Sequence, residues 1–541
     1  MKSTATRRWD RDFTWVALLA CSASILAFAW YAVAGDLLLY GDAVAHINIA
    51  RRVFDSRTPG LLQLGTVWLP LPHLITMPFI ANRALWQSGV GGSLPSMAAY
   101  VFAVIGIFRL THDLARDAHF TPSAARLTAC ASAAIFGLNP NLLYMQATAM
   151  TEALYLALFL WAIVHFADFV RGRTKDSFEI NSRRSLIKCG LCVAGACLTR
   201  YDGWFLAMTL CAVLAAIWWR THAARDTTPT FIRFVLLTVA VPVLWFAYNA
   251  AVYRNPLEFA NGPYSAKAIA ARSATAGMPS YPGAHNPATA ATYFVKSGAI
   301  NVAEGWPQLA WLALACIGTL ALARCGPVAL LLWLPIPFYA LSVAYSGVPI
   351  FMPAWFPYSA YNVRYGLQLL PAFAIFISFA IAQITNRTSD LRLRRAILLL
   401  AVVFVVASYV SVSRAIPICY REASINSHAR LALEARLAAQ LNALPPNASF
   451  LMYLGGHVGA LQQAGIPLAR SVNEGNHRVW VQPSDPEGLW ERSLANPTAH
   501  VDYVVAVEGD PVADAMRAQN LPAIAHITVE GQPAATIYRA R

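Results

Sequence analysis

The stretch Gly35–Phe54 reads GDLLLYGDAVAHINIARRVF and directly follows the first long apolar segment of the chain. Residues Asp42–Phe54 are predicted to form an amphipathic helix, because the aliphatic side chains recur mostly toward one side. Gly41 supplies a turn before this helix, and Asp42 is a candidate N-cap. A carboxylate at a helix start beside a membrane surface is well placed to act as a base. The alternative interpretation of Asp42 is that it only caps the helix.

The composition indicates a polytopic α-helical membrane protein. The chain has 541 residues, of which 57% are hydrophobic and only 13% are charged, whereas a soluble protein carries about 25% charged residues. The net charge of +14 fits basic cytoplasmic loops beside anionic membrane lipid better than a nucleic-acid partner. The nine cysteines lie in or beside apolar segments, which is typical of buried hydrophobic residues and not of a disulfide framework.

About eleven transmembrane helices are predicted, with the N-terminus in the cytoplasm and the C-terminus outside the inner (plasma) membrane. The first span is Phe13–Ala34, which follows a basic N-terminal segment. Val67–Trp86 is apolar but contains three prolines, and it is predicted to be a re-entrant or interfacial hairpin that does not cross the membrane. Counting it as a crossing would place every later basic loop outside the cytoplasm. The strongest cytoplasmic signal is the basic loop Arg171–Lys188. The other predicted spans are Pro95–Leu110, Leu127–Leu143, Ala153–Val170, Leu186–Leu198, Trp204–Trp219, Phe231–Val252, Trp306–Ala323, Val328–Tyr345, Val363–Ile384 and Ala396–Val412.

Two domains are predicted from the change in composition near residue 414. Residues 1–413 form the transmembrane domain, with a first external loop at 35–94 and a second at 253–305. Residues 414–541 alternate polar and apolar side chains and predict an extracytoplasmic, soluble α/β domain that is large enough to hold its own core. Its predicted elements are a helix at Ser424–Leu444, strands at Ser449–Leu454 and Tyr503–Val507, and a helix at Val512–Gln519.

The predicted topology places several ionisable residues at the outer membrane surface. Ionisable groups at membrane depth cost several kcal/mol and usually have a functional or pairing reason. Arginines there can hold a lipid phosphate with forked hydrogen bonds, and a carboxylate can act as a base on an incoming hydroxyl. The residues concerned are Asp42, His46, His73, Glu152, Arg200, Asp202 and Arg364.

Each of these residues also has a structural interpretation. Arg200 and Asp202 can pair with each other or reach the interface. Glu152 can be a helix N-terminal charge, and Arg364 can anchor the chain at the interface. The histidines can be packed, neutral polar residues. The placement of all these residues at the outer membrane surface favours a functional site more strongly than any single residue does.

Five short segments, taken in order, make the sequence resemble a known family. They are Tyr40-Gly41-Asp42-Ala43-Val44-Ala45-His46, Pro70-Leu71-Pro72-His73, Met150-Thr151-Glu152, Leu198-Thr199-Arg200-Tyr201-Asp202-Gly203 and Arg364-Tyr365-Gly366-Leu367-Gln368-Leu369-Leu370-Pro371. The chain resembles the GT-C superfamily of polyprenyl-phosphate-sugar-dependent glycosyltransferases over roughly Phe13–Val412. That superfamily includes protein O-mannosyltransferases and the bacterial aminoarabinose transferases of lipid A. Two departures are that Ala43 stands where O-mannosyltransferases have a second acid, and that the order of the family's H-P-P-L segment is changed around His73.

The resemblance implies that the protein transfers a sugar, with inversion, from a polyprenyl-phosphate donor to a glycan, lipid or protein acceptor on the extracytoplasmic face. Asp42 would be the base, and Glu152 a second catalytic residue that orients the sugar. These two carboxylates are also the candidate ligands of a divalent cation, Mg²⁺ or Mn²⁺. The residues expected to bind substrate are Arg200, Tyr201, Asp202, Arg364, Tyr365, His46 and His73.

The outer loops and the C-terminal domain are expected to complete the site. The loop 253–305 and an aromatic outer loop are candidates for a lid or an acceptor groove, although aromatic residues also suit the membrane interface. Further candidates for acceptor contacts are His457, Glu474 and His477. Two other functions stay open, a lipid-linked glycan ligase or polymerase and a transporter or flippase without catalysis. A transporter more often shows internal repeats and polar residues near the midplane.

Overall fold

The computed structural model of the chain describes residues 11–172, 180–220, 228–273, 279–323, 326–477 and 486–541. Four basic residues that help to assign the predicted cytoplasmic loops lie outside these ranges, namely Arg173, Lys175, Arg225 and Arg324. The predicted basic loop Arg171–Lys188 is therefore described only at its two ends.

The first half of the chain is helical, as its apolar composition predicts. Its helices are α1 (Arg11–Ala34), α2 (Gly41–Arg52), α3 (Leu71–Ile80), α4 (Arg83–Gln87), α5 (Val90–Asp117), α6 (Pro122–Gly137), α7 (Pro140–Gln146), α8 (Glu152–Arg171), α9 (Ile180–Cys197), α10 (Asp202–Arg220) and α11 (Thr228–Tyr253). Short 3₁₀ helices lie at Asp36–Leu38 and Leu61–Leu64. The predicted helix after Gly41 is α2, although the Asp42 side chain makes no capping hydrogen bond there.

The following segment contains α12 (Glu258–Asn261), α13 (Ala266–Ser273), α14 (Pro287–Ile300), α15 (Pro307–Ala323), α16 (Pro335–Tyr345), α17 (Leu370–Arg387) and α18 (Leu391–Arg414), with 3₁₀ helices at Pro327–Trp333 and Val363–Leu369. The predicted external loop 253–305 contains α12 and α13 and, toward its end, the longer helix α14. The start of α14 has a local cause. Asn286 accepts a hydrogen bond from the Thr289 amide, and Pro287 occupies the first turn.

Eight helical stretches among the described residues are long and apolar enough to cross a membrane. They are Arg11–Ala34, Val90–Asp117, Glu152–Arg171, Asp202–Arg220, Thr228–Tyr253, Pro327–Tyr345, Val363–Arg387 and Leu391–Asn442. The predicted count of eleven is not confirmed, because the other three predicted spans correspond to α6, α9 and α15, which do not reach the same length and hydropathy. Helix α3 has 10 residues, so it is about 15 Å long, half of a hydrocarbon core of about 30 Å.

The C-terminal part packs helices against one mixed sheet. Its helices are α19 (Ile418–Asn442), α20 (Leu454–Ala464), α21 (Leu489–Ala495), α22 (Pro497–His500) and α23 (Pro511–Met516), and its strands are β1 (Phe450–Met452), β2 (Ser471–Val472), β3 (Tyr503–Val507), β4 (Ala523–Ile527) and β5 (Ala535–Arg539). The strand order is β2-β1-β3-β5-β4. The pairs of β1 with β2 and β3 are parallel, and those of β5 with β3 and β4 are antiparallel. Helix α19 begins six residues before the predicted Ser424, which matters for the site.

Three helical stretches start at the same end of the helical part. These are α8, which starts at Glu152, α10, which starts at Asp202, and the 3₁₀ helix at Val363–Leu369 that leads into α17. At their opposite ends they carry Arg171, Arg220 and Arg387. The acidic residues and Arg364 of the sequence motifs are therefore gathered at one end of the helices, and basic residues lie at the other.

Two glycines let the motif segments approach their neighbours closely. A Cβ on Gly203 would lie 2.4 Å from the backbone carbon of Ala196 in α9, and one on Gly366 would lie 2.3 Å from that of Ser297 in α14. Only glycine fits where two backbones approach this closely. The glycine that ends the Arg200 motif and the one that follows Tyr365 thus fix the positions of these motifs.

Candidate active site

Arg364 is the centre of the candidate site. Its Nη2 donates to Oδ2 of Asp42 at 2.6 Å, and its Nη1 donates to Oε1 of Glu422 at 3.0 Å. Its Nε lies 3.3 Å from Oε1 of Glu152. The side chains of Glu152 and Glu422 are each only 1% exposed, whereas that of Asp42 is 40% exposed. One guanidinium therefore joins two buried carboxylates to one that reaches solvent.

Arg200 lies on the other side of Glu152. Its Nη1 lies 3.3 Å from Oε1 of Glu152 and donates to the Thr151 hydroxyl at 3.0 Å. Its Nη2 donates to the Tyr339 hydroxyl at 2.8 Å, and its Nε lies 3.4 Å from Asp202. The pairing of Arg200 with Asp202, one of the interpretations of the sequence, is present together with the contact to Glu152.

The Tyr365 ring lies between the two arginines. The guanidinium carbons of Arg200 and Arg364 are 5.2 and 5.0 Å from its centroid, within the range of cation–π contacts. Tyr40 adds a second ring, 5.1 Å from the Arg364 guanidinium. Aromatic faces thus hold both arginines in place without taking up their N–H donors.

Tyr201 ties its motif segment to the predicted re-entrant segment Val67–Trp86 and to α12. Its hydroxyl donates to the Val67 carbonyl at 2.8 Å, and its ring stacks on Phe259 with the centroids 5.1 Å apart. It is therefore in a position to support the site through packing.

His46 and His73 form a buried pair. Their Nδ1 and Nε2 atoms are 2.9 Å apart, and the His46 ring also packs on Trp68. Burial, followed by the charges of Arg200 and Arg364, lowers the pKa of His46 from 6.5 to about 3. Burial lowers the pKa of His73 as well. Both rings are therefore neutral near pH 7, as in the packed interpretation of these histidines.

The low pKa of His46 predicts a loss of stability in acid. The unfolded chain protonates His46 near pH 6.5, but the folded chain does so only near pH 3. The contribution of neutral His46 to the free energy of unfolding is therefore fully present above pH 6.5 and is lost as the pH falls from 6.5 toward 3. At pH 5 we expect a loss of about 2 kcal/mol from this group. Thermal midpoints from pH 7.5 to 5 should fall more steeply for the wild type than for His46→Asn. Equal slopes would contradict the neutral pair.

A cavity of about 1130 Å³ opens beside Arg364. Its wall includes Asp42, Arg364 and Tyr365 from the predicted set. The other predicted residues are not among its described lining residues, namely Glu152, Arg200, Tyr201, Asp202, His46 and His73. The structure thus brings the predicted charged residues into one network, but only three of the predicted residues can touch a ligand in this cavity directly.

The outer segments also contribute to this cavity wall. Residues from the predicted loop 253–305 line it, as do Phe356 and Tyr361 of the aromatic loop. Glu474 lines it from the C-terminal part, whereas His457 and His477 are not among the described lining residues. One of the three candidate acceptor contacts therefore reaches the cavity.

A divalent cation does not fit between the predicted ligands. Among the described residues, no group of three or more His, Cys, Asp or Glu side chains is arranged to hold a metal ion. The guanidinium of Arg364 already lies against both Asp42 and Glu152. A cation at this point would face a fixed positive charge, so the donor set favours an arginine clamp over a metal site.

Two residues of this network, Glu422 and Tyr339, were not predicted from the sequence. Glu422, in α19, also accepts from the backbone amides of Asn362 and Val363 at 3.0 and 2.8 Å. Tyr339 lies inside an apolar span and donates to Asp202 at 3.4 Å. Glu422 fell in the segment assigned to the soluble domain, and a single tyrosine in an apolar span carries no distinguishing signal.

The fold of the chain is similar to that of solved glycosyltransferase structures. No protein-family model matches the sequence, and no curated protein is similar to it. The structure is similar to ArnT from Cupriavidus metallidurans bound to undecaprenyl phosphate, with a TM-score of 0.53 and 14% identity over 96% of this chain and 98% of that chain. ArnT is a GT-C glycosyltransferase. The chain has the GT-C fold.

A second ArnT structure, in the apo state, gives a TM-score of 0.52 and 13% identity over the same shares of the two chains. The similarity of fold thus extends over nearly the whole chain. The resemblance seen in the sequence motifs is confirmed at the level of the fold.

Proposed function

We propose that this protein is a multi-pass inner-membrane glycosyltransferase that moves a sugar from a polyprenyl-phosphate donor to an acceptor, with inversion at the anomeric carbon. The observation that carries this proposal is the position of Arg364. It lies in the wall of a large cavity, fixed from behind by two buried carboxylates and in contact with one exposed carboxylate, Asp42. The presence of undecaprenyl phosphate in the ArnT structure is consistent with this class of donor.

Arg364 is proposed to bind the donor phosphate. Its Nη1 and Nε face the carboxylates of Glu422 and Glu152, which are almost fully buried, so these two contacts are expected to persist when the donor binds. Its Nη2 contacts the half-exposed Asp42, which a phosphate in the cavity can displace. Arginine is suited to this exchange because its planar donors match phosphate oxygens. Donor binding would then free the Asp42 carboxylate at the moment when a base is needed.

The proposed reaction is a single displacement. The acceptor oxygen or nitrogen attacks the anomeric carbon, and the bond from that carbon to the phosphate oxygen breaks. The electron pair stays on the polyprenyl phosphate, whose charge Arg364 stabilises. The acceptor proton goes to Asp42. Because one bond forms on the face opposite to the one that breaks, the configuration inverts.

Glu152 and Arg200 are proposed to act from behind the cavity wall. Glu152 contacts both arginines, and Arg200 contacts the cavity-lining Tyr365 ring. We therefore propose positioning roles for Glu152, Arg200 and Asp202, in place of the direct contacts expected from the sequence.

The proposed orientation places the site and the C-terminal domain outside the cytoplasm. Helices α8, α10 and α17 run from the site to Arg171, Arg220 and Arg387. Basic residues at helix ends are enriched on the cytoplasmic side. This supports a cytoplasmic N-terminus and an extracytoplasmic acceptor.

The proposed function is tested by mass analysis of envelope glycans from a strain that lacks the gene. A glycan, glycolipid or glycoprotein should lose one sugar, and the wild-type gene should restore it. Purified protein should bind undecaprenyl phosphate. If the envelope is unchanged and the purified protein does not bind this lipid, the proposal is refuted.

A further inference from the structure

The cavity is a groove that follows one face of α2. The lining residues from α2 recur at helical spacing and are Gly41, Asp42, Val44, Ala45, Asn48, Ile49 and Arg52. Asp42 and Arg52 are ten residues apart, which is about 15 Å along a helix. The groove volume of about 1130 Å³ also exceeds the range of about 300–1,000 Å³ usual for a pocket that holds one small ligand. A sugar and its phosphate at Arg364 therefore leave the Arg52 end empty.

The Arg52 end of the groove is polar, and not all of its hydrogen-bonding groups have a partner. Nη1 of Arg52 lies 3.5 Å from Oε1 of Glu474, which is a loose contact. Oε2 of Glu474 accepts from the Leu454 amide at 2.9 Å. Nε of Arg52 is buried and has no hydrogen-bond partner among the described residues. A buried donor without a partner is costly, so this end is suited to a ligand that supplies an acceptor oxygen.

The shape of this end comes from the C-terminal domain and from the segment before α13. Leu454, Gly455 and Gly456, at the start of α20, line the groove, and so does Tyr264. A Cβ on Gly456 would meet no atom within 4 Å, and the backbone there does not have a positive φ. The groove surface at Gly456 is therefore bare backbone with open space in front of it.

We propose that the Arg52 end of the groove, formed by Arg52, Tyr264, Gly456 and Glu474, binds the acceptor, and that the acceptor is a hydroxyl-bearing saccharide. This inference rests on the proposed function. A guanidinium and a carboxylate side by side offer donors and acceptors to sugar hydroxyls, and the Tyr264 ring offers an apolar face to the C–H side of a sugar ring. The mixed charges favour a hydroxyl-rich ligand over a lipid tail.

Gly456→Gln is the variant that tests this site. The Cβ of a residue at position 456 would meet no protein atom within 4 Å, so the groove wall has room to take a larger side chain there. Ala439→Gln adds the same side chain on the exposed surface of α19. The probe is envelope polysaccharide, freed of lipid and protein, from the strain that lacks the gene. Binding of undecaprenyl phosphate to each purified, full-length variant reports on the donor end.

We expect Gly456→Gln to bind the polysaccharide at least tenfold more weakly than the wild type and Ala439→Gln, while all three bind undecaprenyl phosphate equally. Arg52→Gln should weaken polysaccharide binding in the same direction. Wild-type affinity of Gly456→Gln for the polysaccharide would overturn the inference. So would wild-type protein that binds only the lipid or protein fraction of the envelope. A wild type that fails to bind undecaprenyl phosphate, together with an unchanged envelope in the strain that lacks the gene, would instead refute the proposed function.

Discussion

Replacing Arg364 with lysine is expected to destabilise the protein and to remove most of its affinity for undecaprenyl phosphate. An ammonium group is compact and cannot reach the three carboxylates that the guanidinium contacts through Nε, Nη1 and Nη2. Glu422, which is 1% exposed and has Arg364 as its cationic partner, or Glu152, which is equally buried and keeps only Arg200, then loses an ion pair. Breaking a buried ion pair costs about 3–5 kcal/mol.

The thermal midpoint in detergent and the equilibrium affinity for undecaprenyl phosphate measure the two effects. Arg126→Lys is the matched control, because Arg126 pairs with Asp12 and its side chain is 56% exposed. A surface pair of this kind contributes about 0–1 kcal/mol. If Arg364→Lys melts and binds the lipid as Arg126→Lys does, Arg364 is not the centre of the site.

Replacing Asp42 with asparagine is expected to lower sugar transfer by a factor of about 10²–10⁴, which is the usual contribution of a general base. The same variant should bind undecaprenyl phosphate at least as tightly as the wild type. The reason is that asparagine no longer competes, as an anion, for Nη2 of Arg364. Loss of turnover together with unchanged or tighter lipid binding separates a base from a residue that only supports the fold.

Asp36→Asn is the control for this experiment. Asp36 lies six residues before Asp42 and accepts a hydrogen bond from the Tyr420 hydroxyl at 2.9 Å, but it is not among the described lining residues of the cavity. Transfer is measured as the fraction of envelope glycan that each variant modifies in the strain lacking the gene. Full modification by Asp42→Asn, or equal losses in both variants, would contradict the role of Asp42 as the base.

The gathering of Asp42, Glu152, Arg200 and Arg364 could be predicted from the sequence because each lies near the end of an apolar segment. Once the basic loops fix the direction of the spans, such residues must meet at one surface. Which of these residues line the cavity and which only position the lining residues could not be predicted. It depends on side-chain packing, in particular on the Tyr365 ring between the two arginines, and sequence spacing carries no information on that packing.

The contribution of α19 to the site, through Glu422, could not be predicted from the sequence either. Glu422 lies after the last span, in a segment whose composition resembles that of the soluble domain, yet its carboxylate binds the amides of Asn362 and Val363. Arg51 and Arg52 lie in the last turn of α2, and the sequence alone assigns no role to them. The role proposed for Arg52 rests on the groove along α2 and on the approach of Glu474, and both are tertiary features.

Arg364 is proposed to exchange Asp42 for the phosphate of a polyprenyl phosphate, and the proposed mechanism depends on this exchange. A cryo-electron microscopy structure of the full-length protein with undecaprenyl phosphate tests it most directly. We predict a phosphate oxygen within hydrogen-bond distance of Nη2 of Arg364, with Asp42 released from that nitrogen and Glu422 still bound to Nη1. A phosphate bound elsewhere, with the contact between Asp42 and Arg364 intact, would contradict the claim.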